Sequence, residues 1–367
     1  MKEKILILIF LAMLVIPAIL YIPLATQSDV SESEKRELAP MPSLSLDTIE
    51  TFPTEFEAFF DDHLPWRSDI IQLNTSIDLL VFDTVDNPKV IRGKNDWLFY
   101  KNALDLSPLD SYIKGSLFTP EELGQITDIL TKINDIAEKN DVQFVLVMIP
   151  DKERVYADYL PSAFSKASDY RAYSQLYSHL TQYSDITIVD LEPTLQEGRT
   201  YYPTYFQTDT HITRYGGYLG TQEILAAIGE QTVPPENLLI HLNESPHTGD
   251  LVTLASLSPD LIYEYPPVVE NYPENAQVTE AQYKNISAPE VKIESNLNDG
   301  KKMLFYGDSF RLYLMPFLSQ HFGESIYYSN RITEEELTDV IAREEPDIIV
   351  LEYVERYLPF LLSLDTP

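Results

Sequence analysis

The sequence contains no cysteine. Disulfide frameworks, thiolate nucleophiles and cysteine zinc sites are therefore excluded, and core packing alone must stabilise the fold. Positive charge is scarce: 26 Lys and Arg stand against 58 Asp and Glu, a formal net charge of -32. A field of that sign argues against nucleic acid or anionic lipid as the main partner and suits a neutral or cationic one. Histidine occurs only six times, and nothing has metal-ligand spacing, so neither a metal nor a cofactor is expected. No internal repeat is visible.

What the chain does have is length, apolar content and a strongly apolar start. Its 367 residues, 44% of them hydrophobic, with 24 Tyr and 16 Phe, are ample for a sizeable core and too apolar for disorder. Residues 5–24 form one apolar run, preceded by Lys2 and Lys4 and followed by the acidic "SDVSESEKRE". That run is long enough to cross a bilayer, and the charge asymmetry places the remaining chain outside the cytoplasm. The expectation is a membrane anchor over residues 1–27 and a polar linker over 28–55, with the extracytoplasmic domain over 56–367. A cleavable signal peptide is the competing reading, although its apolar core is usually only about 7–15 residues.

Helical spacing on either side of Pro65 predicts two helices within 56–82, and "VIRGKNDWLFYKN" (90–102) reads as a strand and turn. From residue 119 the pattern alternates between helix and strand. Thr119, Pro120 and Glu122 predict a capped helix start, followed by a stripe of Leu123, Ile126, Leu130, Ile133 and Ile136. The near-continuous apolar strand "VQFVLVMIP" (142–150) is the kind buried on both faces of a parallel sheet. Further strands are expected at 185–191, within 301–310, at "SIYYSN" and at "DIIVLEYVER", with a capping box at Thr333 and Glu336. The weaker, Pro- and Asn-rich stretch from about 240 to 300 reads as an insertion with a small sheet or long loops. The fold class is α/β, a three-layer flavodoxin-like sandwich with a mostly parallel sheet.

Ligands of such sheets bind at the C-terminal ends of strands. "MLFYGDSF" places Ser309 at one such end, where a helix begins and its N–H groups can hold an oxyanion. A serine hydroxyl needs a neighbouring base, usually an imidazole oriented by a carboxylate. "DTHIT" supplies both, since two residues of extended backbone keep Asp209 and His211 on one side. Taken alone, "GDS" is a common turn that caps a helix, and "DTHIT" is a loop with Thr213 as N-cap. Together, at the ends of two βα units, they favour a Ser309–His211–Asp209 triad. Among the other candidates, Asp62 and His63 lack partners for a metal. Trp66 and Trp97 read as core or domain-contact residues, and His179, His241, His247 and His321 need no special role.

"GDSF" after an apolar strand, with "DTHIT" upstream, resembles the SGNH-hydrolase-like domain of the alginate O-acetyltransferase group and its Gram-positive relatives. "VIRGKNDWLFYKN", "VMIPDKERVYADYLP", "GDLVTLASL" and "DIIVLEYVERYL" resemble it further. "FFDDHLPWRS" is similar to the related family named after an Asp-His-His-Trp motif, with Leu64 in place of the second histidine. The resemblance implies that Ser309 is the nucleophile, His211 the general base and Asp209 the orienting acid. It also implies a polysaccharide acceptor and a multi-spanning membrane acyltransferase as acetyl supplier. The glycine and asparagine of the usual SGNH oxyanion site find no match. Arg331, after the strand "SIYYSN", is the candidate substitute, and Lys152, at another strand end, is a candidate substrate contact. The expected function is membrane-anchored O-acetyl transfer to a cell-surface or exported polysaccharide. The alternatives are an acetylesterase with the same triad and a non-catalytic polysaccharide-binding protein.

Overall fold

The computed structural model describes residues 4–7, 10–11, 30–31, 36–85, 87–101, 108–114, 117–164, 170–282, 290–297, 300–329 and 332–364. Most of the apolar run 5–24 lies outside them, and among the described residues no helix is long and apolar enough to cross a membrane. The chain divides into two compact units, Met1–Asn87 with Val252–Ile262, and Pro88–Leu251 with Tyr263–Pro367.

The first unit holds the helices Phe52–Asp62 and Arg67–Phe82. They break at Pro65, which has no N–H to continue the first helix, and Trp66 takes up a left-handed turn there. Trp66 is 52% exposed, so of the two expected roles, core or domain contact, it does not fill the first. Gln72 Nε2 donates to the Leu257 carbonyl at 3.2 Å, tying the segment 252–262 to the second helix.

The second unit is built on one seven-stranded sheet. Its strands are β1 (Gln143–Ile149), β2 (Thr187–Asp190), β3 (Ala276–Gln282), β4 (Glu290–Ser295), β5 (Lys302–Gly307), β6 (Glu324–Ser329) and β7 (Ile348–Val354). Their order is β2-β1-β7-β5-β6-β4-β3. The pairings from β2 to β6 are all parallel, whereas β4 and β3 add antiparallel, so the sheet is mixed. The stretch 240–300 is thus only in part a separate small sheet, in which Leu239–Leu242 pairs with Pro267–Glu270. Its other strands extend the main sheet, because β4 alternates and buries Val291 and Ile293 on one face.

Helices cover both faces: α1 (Pro120–Lys139), α2 (Ala172–Tyr183), α3 (Arg214–Ile228), α4 (Arg311–Leu318) and α5 (Glu334–Glu344). Thr119 and Glu122 form the expected capping box, as do Thr333 and Glu336. Such a cap contributes roughly 1 kcal/mol. Side chains alternate along each strand. Val145, Val147 and Ile149 of β1 join Leu225 of α3 and Leu314 of α4 in one core. Phe144, Leu146 and Met148 join Ile126, Leu130 and Ile133 of α1 in the other. Each fully buried Leu or Ile contributes about 1.5–3 kcal/mol, so these two layers dominate stability. A Cβ on Gly217 would stand 2.2 Å from the Tyr313 carbonyl oxygen, so the glycine allows α3 to lie against α4.

Connections from β1 lead outward to β2, while those from β5 lead outward to β6 on the other side. The C-terminal ends of β1, β5 and β7 therefore flank the place where the winding reverses, the usual ligand position in an open α/β sheet.

Candidate active site

Three strand ends and one loop build the site. The first turn after β5 carries Ser309 immediately before α4. The loop before α3 carries Asp209 and His211, and Thr213 Oγ1 caps α3 by accepting the Gly216 N–H at 3.2 Å. The capping role and the catalytic candidacy of "DTHIT" therefore coexist on alternate residues.

His211 Nε2 lies 2.7 Å from Ser309 Oγ, and His211 Nδ1 lies 2.6 Å from Asp209 Oδ1. A carboxylate only accepts, so Nδ1 carries the proton and Nε2 is left to accept from the serine hydroxyl. The remaining Asp209 oxygen accepts the Asp250 N–H at 3.0 Å, and Oδ1 also accepts the His211 N–H at 3.0 Å. Burial alone would raise the Asp209 carboxyl, but the His211 hydrogen bond and charge outweigh it and hold it well below the usual range. Tyr313 stacks on the imidazole at 5.2 Å and Phe310 lies against it at 4.9 Å, screening the ring from water.

The loop bearing Asp209 is gripped from both sides of its backbone. Glu264 accepts the N–H groups of Gln207 and Thr208 at 2.6 and 2.7 Å, and the Thr208 hydroxyl at 2.6 Å. Lys152 Nζ donates to the carbonyls of Leu98, Gln207 and Asp209 at 2.6, 3.0 and 2.9 Å. One buried anion thus takes the donors of the segment and one buried cation its acceptors. Lys152 is 2% exposed, with its hydrogens committed to backbone, so it supports the loop and is not placed as the expected substrate contact. Burial lowers its pKa to about 8, with Glu264 and Glu153 opposing. Gly249 passes so close that a Cβ there would lie 2.4 Å from Asp209 Cβ. Arg331 lies outside the described residues.

The sequence alone did not single out Glu264, Asp250, or the charged cluster beneath the strand ends. In that cluster Arg356 Nη1 donates to Asp151 Oδ1 at 2.6 Å and Arg171 Nε to Glu355 Oε1 at 2.6 Å. Arg171 also pairs with Glu192, which binds Arg154 at 2.9 Å. The signal available was the density of charges in "PDKERVY" and "EYVERYL", both directly after apolar strands.

Burial lifts Glu153 to about 8, with Asp151 adding to it, and lifts Glu355 to about 7 against the pull of Arg171. Raised carboxyl values give stability that is complete at low pH and is lost as pH rises through the folded values. Asp209 acts oppositely, losing its contribution only in strong acid. The expected result is a Tm that falls between pH 5 and pH 8; a flat or rising Tm across that interval in thermal melts would contradict it.

Asp209, His211 and Asp250 each offer an atom within 4.8 Å of the others, a spacing that a cation could exploit. These atoms are already spent: both Asp209 oxygens accept as described, and Asp250 accepts the Thr210 N–H and hydroxyl, each at 3.0 Å. A cation would have to displace the bonds that orient the imidazole.

A serine at the end of a parallel strand, hydrogen-bonded to a histidine on a neighbouring loop, on a three-layer α/β frame, matches the SGNH-hydrolase-like class. The chain belongs to the family described as SGNH hydrolase-like domain, acetyltransferase AlgX, which matches residues 90–341, and it is an acyltransferase of SGNH type. It is 22% identical over 326 residues to a probable alginate O-acetylase AlgJ of Azotobacter vinelandii, covering 84% of this chain and 79% of that one. A probable alginate O-acetylase AlgJ of Pseudomonas putida is 21% identical over 325 residues, covering 84% and 80%. Among solved structures, a DHHW family protein from Eubacterium siraeum aligns over 77% of this chain and 97% of its own, with TM-score 0.55 and 13% identity. Bacillus cereus PatB1 aligns over 76% and 100%, with TM-score 0.52 and 17% identity. These two similarities concern the fold.

Proposed function

We propose that the chain transfers acetyl groups to polysaccharide hydroxyls through Ser309, His211 and Asp209. The observation that carries this reading is the unbroken hydrogen-bonded series from Ser309 Oγ to Asp209, 2.7 and 2.6 Å long, at the strand ends. Ser309 Oγ attacks the acetyl carbonyl as its proton passes to His211 Nε2, and the oxyanion meets the Ser309 N–H at the start of α4. Collapse expels the donor's leaving group, which takes the proton from His211. The sugar hydroxyl then attacks acetyl-Ser309, His211 accepts its proton, and the same proton returns to Ser309 as the ester leaves. Asp209 stays ionised throughout and keeps the imidazole in the required tautomer.

The apolar run 5–24 supports a site held at the outer face of a membrane, where a multi-spanning acyltransferase would deliver acetyl. The two AlgJ relatives named above carry alginate in their names, but a protein of net charge -32 repels a polyanion at low salt. A neutral or cationic glycan is the acceptor class that the charge favours. The test uses p-nitrophenyl acetate as donor, with neutral, cationic and uronate glycans followed by mass spectrometry. Acetyl gain on a glycan is expected. p-Nitrophenol release with acetyl loss from a pre-acetylated glycan would mean an esterase, and preference for the uronate at low salt would overturn the charge argument.

A further inference from the structure

Beneath Ser309, the backbone groups of the turn are claimed by buried ionisable side chains. The Asp308 N–H donates to Glu352 Oε2 at 3.0 Å. Arg311 Nη1 donates to the carbonyls of Gly307 and Asp308 at 2.7 and 3.0 Å. The Asp308 carboxyl accepts the N–H groups of Phe310 and Val354 at 2.8 and 3.0 Å. Between the two committed amides of Asp308 and Phe310, the Ser309 N–H has no hydrogen-bond partner among the described residues.

Glu352 is an expensive residue for its place. It is fully buried in β7, and its Oε1 has no hydrogen-bond partner among the described residues. An unpartnered buried polar atom costs about 1–3 kcal/mol, and a valine or leucine would suit a core strand better. Gly307 makes room for it, since a Cβ there would stand 2.5 Å from Glu352 Oε2. Burial first, and the Asp308 charge second, hold the carboxyl well above the usual range.

We propose that Glu352 is a positioning residue: by accepting the Asp308 N–H it fixes the peptide that aims the Ser309 N–H at the oxyanion. This rests on Ser309 being the nucleophile. An oxyanion-hole donor is worth about 10²–10³ in kcat, and small misplacement forfeits much of that. The experiment follows the p-nitrophenol burst and steady-state turnover with p-nitrophenyl acetate, alongside thermal melts, in Glu352→Gln, Glu352→Leu and Ser309→Ala. Glu352→Gln, which keeps an acceptor oxygen, should stay within threefold of wild type. Glu352→Leu should lose about 10- to 100-fold in both acylation rate and kcat, with KM within threefold. If the leucine chain does not fold, Gly307→Ala, whose Cβ displaces the same oxygen, is read in its place. Turnover within twofold of wild type in Glu352→Leu, or a loss carried by KM, overturns the role of Glu352 provided Ser309→Ala is inactive. Activity in Ser309→Ala instead overturns the nucleophile assignment.

Discussion

Ser309→Ala is expected to abolish acyl transfer, by at least ~10⁴-fold in kcat, while moving Tm by no more than a few degrees. The two halves of that expectation have separate reasons. Ser309 Oγ makes its hydrogen bond to His211 Nε2, so removing it deletes the attacking atom and leaves the ring without its proton source. The fold loses little, because the surrounding turn is held by Asp308, Arg311 and Glu352, not by the serine hydroxyl. The measurement pairs acetyl transfer by mass spectrometry with a thermal melt. A folded alanine chain that still acetylates a glycan would remove Ser309 from the mechanism.

Lys152→Met should cost both activity and stability. Methionine approximates the stem but leaves the carbonyls of Leu98, Gln207 and Asp209 without their donor. It also leaves Glu264 buried opposite no cation. A buried polar group left without its partner costs about 1–3 kcal/mol, and each kcal/mol lowers Tm by roughly 2–4 °C in a unit of this size. Activity should fall about 100-fold or more, because the carbonyl released at Asp209 belongs to the residue that orients His211. Wild-type melting together with wild-type turnover would show that the loop needs no support from Lys152. Exposure of the loop by a direct substrate contact would instead raise KM and leave Tm unchanged.

The elements that could be read from the sequence are those fixed by near neighbours. Thr119 with Glu122, Thr333 with Glu336, and Thr213 before α3 each act within one turn of helix, so their capping was visible in order and type. Asp209 and His211 are two residues apart, and their mutual geometry follows from local backbone. Ser309 could be placed near them because parallel strands deliver their C-terminal ends to one side of a sheet. The parts that could not be read depend on distant partners. Lys152 appeared as another strand-end polar group, and only the loop folded over it shows that its ammonium faces three carbonyls. Glu264 lies in the weakly patterned stretch, and nothing near it in sequence says that it accepts two amides from residues 207 and 208. The joining of β3 and β4 to the main sheet was likewise set by long-range pairing, since a half-buried strand reads the same on a small sheet as on the edge of a large one.

The position of β7 between β1 and β5 also bears on how the enzyme comes into being. Asp151 and Arg356, bonded across the strand ends, are 205 residues apart in sequence. Contacts of such separation form slowly, because a large loop must close before they return any energy. Until β7 inserts, β1 with β2 and β5 with β6 are two sheet fragments, each with a raw inner edge. The His211 loop packs on one and the nucleophile turn belongs to the other. Ser309 and His211 are therefore expected to come together only once β7 pairs with both β1 and β5, and the same pairing covers the two inner edges against unwanted partners.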